Sequence, residues 1–293
     1  MASEPAGTRE ARRSLLHWCN DLRCYGCMLR LFSSAASQPD RTPGNRLASA
    51  VTARFRKLDI NCDLGEGESP AKHRALIKSI TSANIACGGH AGDLRSMDQC
   101  VRIARSEGVN VGAHPSYWDR ENFGRVAQEL SPVDFEMLLI HQIGGFERVA
   151  AANRMTLHHI KLHGALYHAV ERESALAMIY LECVARFWPK ARVFALAGGH
   201  VAEAAERHGV KVWEEIFADR AYNPDGTLVD RKKEGAMLTK VDDVVGRLLA
   251  FTETGRMKTI AGSSVGINAR TVCVHSDSEN SLRIAKALSG ELG

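Results

Sequence analysis

Six apolar runs in this chain end in side chains that can do chemistry. The run from Leu58 closes in Asn61-Cys62-Asp63-Leu64-Gly65-Glu66-Gly67, and the run Ala83–Cys87 is followed by Gly88-Gly89-His90-Ala91-Gly92-Asp93. Val109–Ala113 leads into His114-Pro115-Ser116-Tyr117, while His159–Leu162 carries Lys161 and leads into His163-Gly164. Val212–Phe217 leads to Asp219-Arg220, and Thr271–Val274 to His275-Ser276-Asp277. Carboxylates and imidazoles move protons near neutral pH. A buried ammonium stabilises developing negative charge, and guanidinium forks grip anions. Asp63, His90, His114 and His275 are also metal-ligand types, although no H-E-x-x-H or paired His at i, i+4 accompanies them. A polar strand end alone is an ordinary cap or turn. Six ends carrying His, Asp, Glu or Lys exceed what capping needs.

Something must bring these ends together. From Leu58 onward the short apolar runs, with Val193–Ala197 as a seventh, alternate with helical stretches. The stretches are Ala71–Ile80, Met97–Glu107, Pro132–Asn153, Ser174–Phe187, Val201–His208 and Val241–Thr254. Ser131-Pro132 is a start signal with Pro at the first helical position, and Ser174 reads as an N-cap. Gly108 and Gly209 read as helix stops. Alternating strands and helices imply parallel pairing and an α/β fold. Seven strands in some 236 residues predict a closed or nearly closed β/α barrel, with a doubly wound open sheet as the alternative. In a barrel all the C-terminal strand ends share one face, which is where catalytic groups collect.

The chain has 293 residues and a formal charge of +4, unevenly spread. Residues 1–57 hold ten Lys+Arg and four Asp+Glu, so the remaining 28 basic and 30 acidic residues leave the body at −2. That balance gives no reason to expect nucleic-acid binding. No run of about 18 apolar residues marks a membrane span. The Arg-, Ser- and Ala-rich segment 1–57 reads as a transit peptide or a disordered extension, implying a mitochondrial or a cytoplasmic location respectively. Its Cys24-x-x-Cys27 pair has no companion pair. The body cysteines Cys62, Cys87, Cys100, Cys183 and Cys273 are isolated and read as buried thiols. His158-His159 reads as structural, Asn223–Gly226 as a turn over the barrel mouth, and Arg231-Lys232-Lys233 as a solvated face.

Asp59–Gly67, Ser82–Asp93, Gly112–Tyr117, Phe123-Gly124-Arg125, Lys161–Tyr167, Phe217–Arg220 and Thr271–His275 occur here in an order that closely resembles the LamB/YcsF family, the A-type subunits of 5-oxoprolinase. The resemblance runs from Leu58 to Leu292. It implies a seven-stranded, TIM-like β/α barrel of the glycoside hydrolase/deacetylase type. It also implies ATP-dependent opening of 5-oxo-L-proline to L-glutamate with B- and C-type partner subunits. Gly89, Leu162, His168 and His200 depart from the family pattern, and Gly89, where Phe is usual, is expected to alter the substrate pocket.

A lactam carbonyl is a poor electrophile. Opening it needs an activated water, charge stabilisation on oxygen and a proton for the leaving nitrogen. Strand-end position and residue chemistry make Asp63 and Glu66 the candidate bases, Lys161 the candidate stabiliser of oxyanion or phosphate charge and His163 or His275 the candidate acid. Asn61, His90, His114, Arg125, Tyr167, Asp219 and Arg220 are the expected substrate-binding residues, Arg125 and Arg220 as carboxylate forks. No nucleotide-binding motif is present, so ATP, with Mg2+, is expected to be handled with the partner subunits, unless Gly88-Gly89-His90-Ala91-Gly92 or Gly198-Gly199 forms an anion nest. A divalent metal on Asp63, His90 and His114 belongs to the rival reading, a stand-alone metal-dependent deacetylase. A non-catalytic scaffold is the third reading, and homo-oligomers are compatible with all three.

Overall fold

The structure is a computed structural model that describes residues 57–278 and 280–292. Apart from Lys57, the basic extension expected over residues 1–57 lies outside the described residues. Seven parallel strands close into a barrel: β1 (Asp59–Leu64), β2 (Ser82–Ala86), β3 (Asn110–His114), β4 (His159–Ile160), β5 (Arg192–Leu196), β6 (Lys211–Phe217) and β9 (Thr271–Val274). β9 pairs with both β1 and β6, so no edge remains open. The strands are nearly continuous apolar runs because helices cover the outside of the sheet.

The helices are α1 (Pro70–Ile77), α2 (Leu94–Glu107), α3 (Pro132–Ala152), α4 (Gly164–Arg172), α5 (Ser174–Phe187), α6 (His200–Ala205), α7 (Val241–Thr254) and α8 (Ser281–Leu292). The Ser131 hydroxyl accepts the Asp134 N–H and Pro132 opens α3, as the sequence predicts. Gly108 ends α2 at φ 71°, a conformation glycine adopts without a Cβ penalty. Asp93 turns out to be the N-cap of α2, in a reciprocal pair with Ser96. Ser174 is not a cap. α4 runs to Arg172, so Glu173 alone separates it from α5 and takes the N-cap place.

Three elements escape the alternation of runs. α4 is short and starts at Gly164, which sits at φ 54°. The hairpin β7 (Arg256–Lys258) with β8 (Ser264–Gly266) has three-residue, mostly polar strands. α8 has no strand after it to mark its end. The apolar core wraps the barrel, and all five body cysteines are buried and free. No helix among the described residues is long and apolar enough to cross a membrane.

The barrel interior is polar where a TIM-like barrel usually stacks Val, Ile and Leu. Pairing puts Asp63 beside Asn84, Asn84 beside Gly112 and Gly112 beside His159 in one row. Gly112 has no side chain, and a Cβ there would lie 2.2 Å from the His159 ring. The ring uses that space to donate from Nε2 to Asn84 Oδ1 at 2.7 Å. Asn84 Nδ2 in turn donates to Asn61 Oδ1 at 2.7 Å and Asp63 Oδ1 at 2.8 Å. His158-His159 is thus structural, as expected, and part of the support for Asp63.

Candidate active site

The C-terminal strand ends form the floor of a cavity of about 1230 Å³. Of the expected residues, Asp63, Glu66, His114, Arg125, Lys161, His163, Tyr167, Arg220 and His275 line it. Asn61, His90 and Asp219 do not. Asn61 accepts from Lys161 Nζ at 3.2 Å and donates to Glu215 and Thr271. His90 lies behind Glu66, and Asp219 behind His275. These three lie behind the cavity lining, against Lys161, Glu66 and His275 respectively.

Lys161 is the charge centre. Its ammonium, which is 2% exposed, lies 3.1 Å from Asp63 Oδ1, 3.2 Å from Glu215 Oε1 and 2.9 Å from Cys273 Sγ. Burial would lower Lys161, but the Asp63, Cys273 and Glu215 neighbours outweigh it and keep the amine charged well above its ordinary range. Burial would likewise raise Asp63, and His114 and Lys161 hold it well below the usual carboxylate range. Cys273 stays a thiol because burial pushes it well up. Glu215 escaped the sequence reading. Its signal was an acid within the apolar run of β6, on a strand whose neighbours are all paired.

Glu66 faces three imidazoles. Its Oε1 is 2.8 Å from His90 Nε2, 3.5 Å from His163 Nδ1 and 3.8 Å from His114 Nε2. Burial, then the Asp63 charge, raises Glu66 to about 7. The His90 and His163 rings stack with centroids 3.6 Å apart. Burial and the neighbouring imidazoles push both well below the ordinary histidine range, so both are neutral.

His275 is held by a buried carboxylate. Its Nδ1 lies 2.8 Å from Asp219 Oδ1. Burial opposes the charged ring, but Asp219 raises His275. Phe217 stacks against it with centroids 5.5 Å apart.

The rim is basic. Arg125 pairs with Asp277 and lies over the Phe123 ring. Arg231 lies 3.3 Å from the same Asp277 carboxylate, and Arg231-Lys232-Lys233 is exposed, as the sequence predicts, with Arg231 and Lys232 also lining the cavity mouth. Arg220 is 5% exposed, donates to the Val229 carbonyl and has no partner for its Nε among the described residues. The turn at Asn223–Gly226 feeds Thr227–Lys232 into the cavity wall, as the sequence predicts. The Tyr167 hydroxyl is buried without a partner.

Gly89 does not open the pocket. A Cβ there would lie 2.4 Å from Ser116 Oγ and 2.7 Å from Gln142 Oε1, so its side-chain direction points to buried neighbours and away from the cavity. Nor does either glycine pair form an anion nest. Gly88 N–H is spent on the Ala91 carbonyl, Gly198 N–H on the Glu214 carboxylate and Gly199 N–H on the Leu196 carbonyl.

Ligand-type residues gather in two groups among the described residues: Glu66 with His90, His114 and His163, and Asp63 with Cys273 and His275. The expected set Asp63, His90 and His114 is divided between them.

The chain is similar to a lactam utilization protein from Thermus thermophilus. The match is 32% identical and covers 80% of this chain and 97% of that one, with a TM-score of 0.75. A peptidoglycan deacetylase from Bacillus subtilis is 14% identical over 83% of this chain and 85% of its own, with a TM-score of 0.39. The model of the LamB/YcsF family matches residues 58–293. With that match spanning the entire barrel and its strand-end residues, the chain belongs to the LamB/YcsF family.

Proposed function

We propose that this chain is a hydrolase that opens a lactam ring, 5-oxo-L-proline to L-glutamate, in an ATP-dependent reaction shared with B- and C-type 5-oxoprolinase subunits. The observation that carries the reading is one ammonium, two carboxylates and a carboxylate-held imidazole converging under an arginine rim. This inventory suits a small anionic amide. The similarity to a lactam utilization protein supports the same class of substrate.

In this reading Arg220 grips the substrate carboxylate, since its guanidinium has no acidic partner within hydrogen-bond reach. Phosphorylation of the lactam oxygen by ATP, with Mg2+, makes the carbonyl carbon a good electrophile. Lys161 stabilises the charge that builds on that oxygen. Glu66 accepts the proton of the attacking water on Oε2, the carboxylate oxygen turned away from the imidazoles. The C–N bond breaks as the ring nitrogen takes a proton from His275, which leaves an acyl phosphate, and a second water hydrolyses that to the carboxylate and inorganic phosphate. The chain carries no nucleotide-binding motif, and its glycine pairs are engaged internally, which supports a nucleotide site completed by the partners.

Glutamate release from 5-oxoproline, with and without ATP and each partner, tests the reading. Glutamate should form only with ATP and the partners together. Metal-dependent, ATP-independent hydrolysis of an acetylated substrate by this chain alone would instead establish the deacetylase reading.

A further inference from the structure

We propose that Glu66, His90, His114 and His163 bind one divalent first-row transition cation of the zinc type. The donors are Glu66 Oε1, His90 Nε2, His114 Nε2 and His163 Nδ1.

Hydrogen bonding fixes the tautomer of each ring. His114 Nδ1 lies 2.7 Å from the Lys161 carbonyl, which can only accept, so that nitrogen carries the proton. His163 Nε2 lies 2.9 Å from the Phe123 carbonyl and is protonated for the same reason. The Ser116 hydroxyl donates to the Tyr117 carbonyl, so it accepts from His90 Nδ1–H at 2.9 Å. Each ring therefore turns its other nitrogen, with its lone pair, inward. His114 Nε2 and His163 Nδ1 point lone pairs at one another across 3.0 Å, and His90 Nε2 points one at a carboxylate oxygen across 2.8 Å. Lone pairs facing lone pairs repel unless a cation or shared protons sit among them.

The spacings suit a metal ion. Bonds of about 2.0–2.1 Å at tetrahedral angles put ligand atoms about 3.3 Å apart. The separations are 2.8 Å from Glu66 to His90, 3.0 Å between His114 and His163, and 3.5 and 3.8 Å from Glu66 to His163 and His114; the His90 and His163 rings stack with centroids 3.6 Å apart, so one of them must tilt to bring both lone pairs onto one ion. Three imidazoles and one carboxylate favour zinc, cobalt or nickel over magnesium, which takes oxygen ligands. The outer nitrogens bound to two carbonyls and a hydroxyl are the usual outer support of metal-binding histidines. Phe123 takes φ 55° to present its carbonyl to His163, a conformation costly for an aromatic residue. Glu66, His114 and His163 line the cavity, which gives an ion its entry path. Asp63 Oδ1 lies 3.5 Å from His114 Nε2 and borders this group, but its Oδ1 is already engaged by Lys161 and Asn84.

Any part the ion takes in ring opening rests on the reaction proposed above; its binding does not. The test uses the full chain after chelator treatment, with no lactam, nucleotide or partner present. Cobalt is titrated and followed by visible absorption. One equivalent should saturate the ligand-field bands, and zinc should abolish them. His114→Gln and Glu66→Gln, checked for folding by circular dichroism, should lose the bands. Ser116→Ala, which removes only outer support, should weaken binding by about 10–100-fold. No bands with the unaltered chain, or saturation unchanged in His114→Gln, would overturn the proposal. Because binding is read without turnover, failure of the lactam reading leaves this result standing.

Discussion

Asp219 holds His275 by its Nδ1 at 2.8 Å, which leaves the opposite ring nitrogen to act in the cavity that His275 lines. Burial opposes charge on both partners, yet each favours the ionised form of the other, raising His275 and lowering Asp219. A raised histidine contributes stability that is complete below its unfolded value, about 6.5, and is lost as pH rises through the folded value. The lowered Asp219 contributes stability above about 3.9 that is lost as pH falls through its folded value. Asp219→Asn should therefore shift the basic limb of the kcat/KM profile to lower pH, because the imidazolium loses its counter-charge. A basic limb that stays in place would remove His275 as the acid.

Lys161→Met should destabilise the barrel by about 3–5 kcal/mol, the usual result of leaving buried charges without a partner. Asp63 and Glu215 would both be stranded. Adding Glu215→Gln should recover part of the loss. Urea unfolding of the two variants measures this, and a double variant no more stable than the single one would contradict the ion-pair account.

Gly112→Ala should cost about 1–3 kcal/mol, because its Cβ would lie 2.2 Å from the buried His159 ring. Trimming the ring should relieve that clash, so the costs of Gly112→Ala and His159→Ala should be less than additive. Thermal unfolding of both single variants and the double gives the coupling. Strict additivity would show that the two residues do not compete for space.

Arg220 and Arg125 should behave differently towards an anionic substrate. Arg125 is already paired with Asp277, whereas Arg220 keeps a buried N–H without a partner. A hydrogen bond to a charged group is worth about 1.5–3 kcal/mol, or about 10–100-fold in KM for 5-oxoproline. Arg220→Lys should show a rise of that order in the reconstituted enzyme, with Arg125→Lys showing less. The reverse order would move the carboxylate to the outer rim.

The barrel was legible because short, largely apolar and mostly buried runs alternate with longer helical stretches along the chain. The strand ends were legible as chemistry because six of them break that pattern with ionisable groups. Roles within the site were less legible. Asn61 and Asp219 have the residue types of substrate ligands, and only three-dimensional placement shows them to lie behind the lining, against Lys161 and His275. Glu215 and Cys273 were hidden inside apolar runs, since the sequence does not show which face of a strand points into the barrel. Gly89 looked like a gap in a wall because composition says nothing about the direction of a missing side chain.

The closure of β9 against β1 also has a consequence for how the protein is made. Asn61 hydrogen-bonds Thr271, 210 positions further along, and Lys161 reaches Cys273 across 112. Contacts of such sequence separation form late, after the loop-closure entropy has been overcome. On the ribosome, the buried ammonium and its counter-ions have no complete enclosure until the final strand has emerged. The catalytic floor is therefore among the last parts of the barrel to be sealed during synthesis.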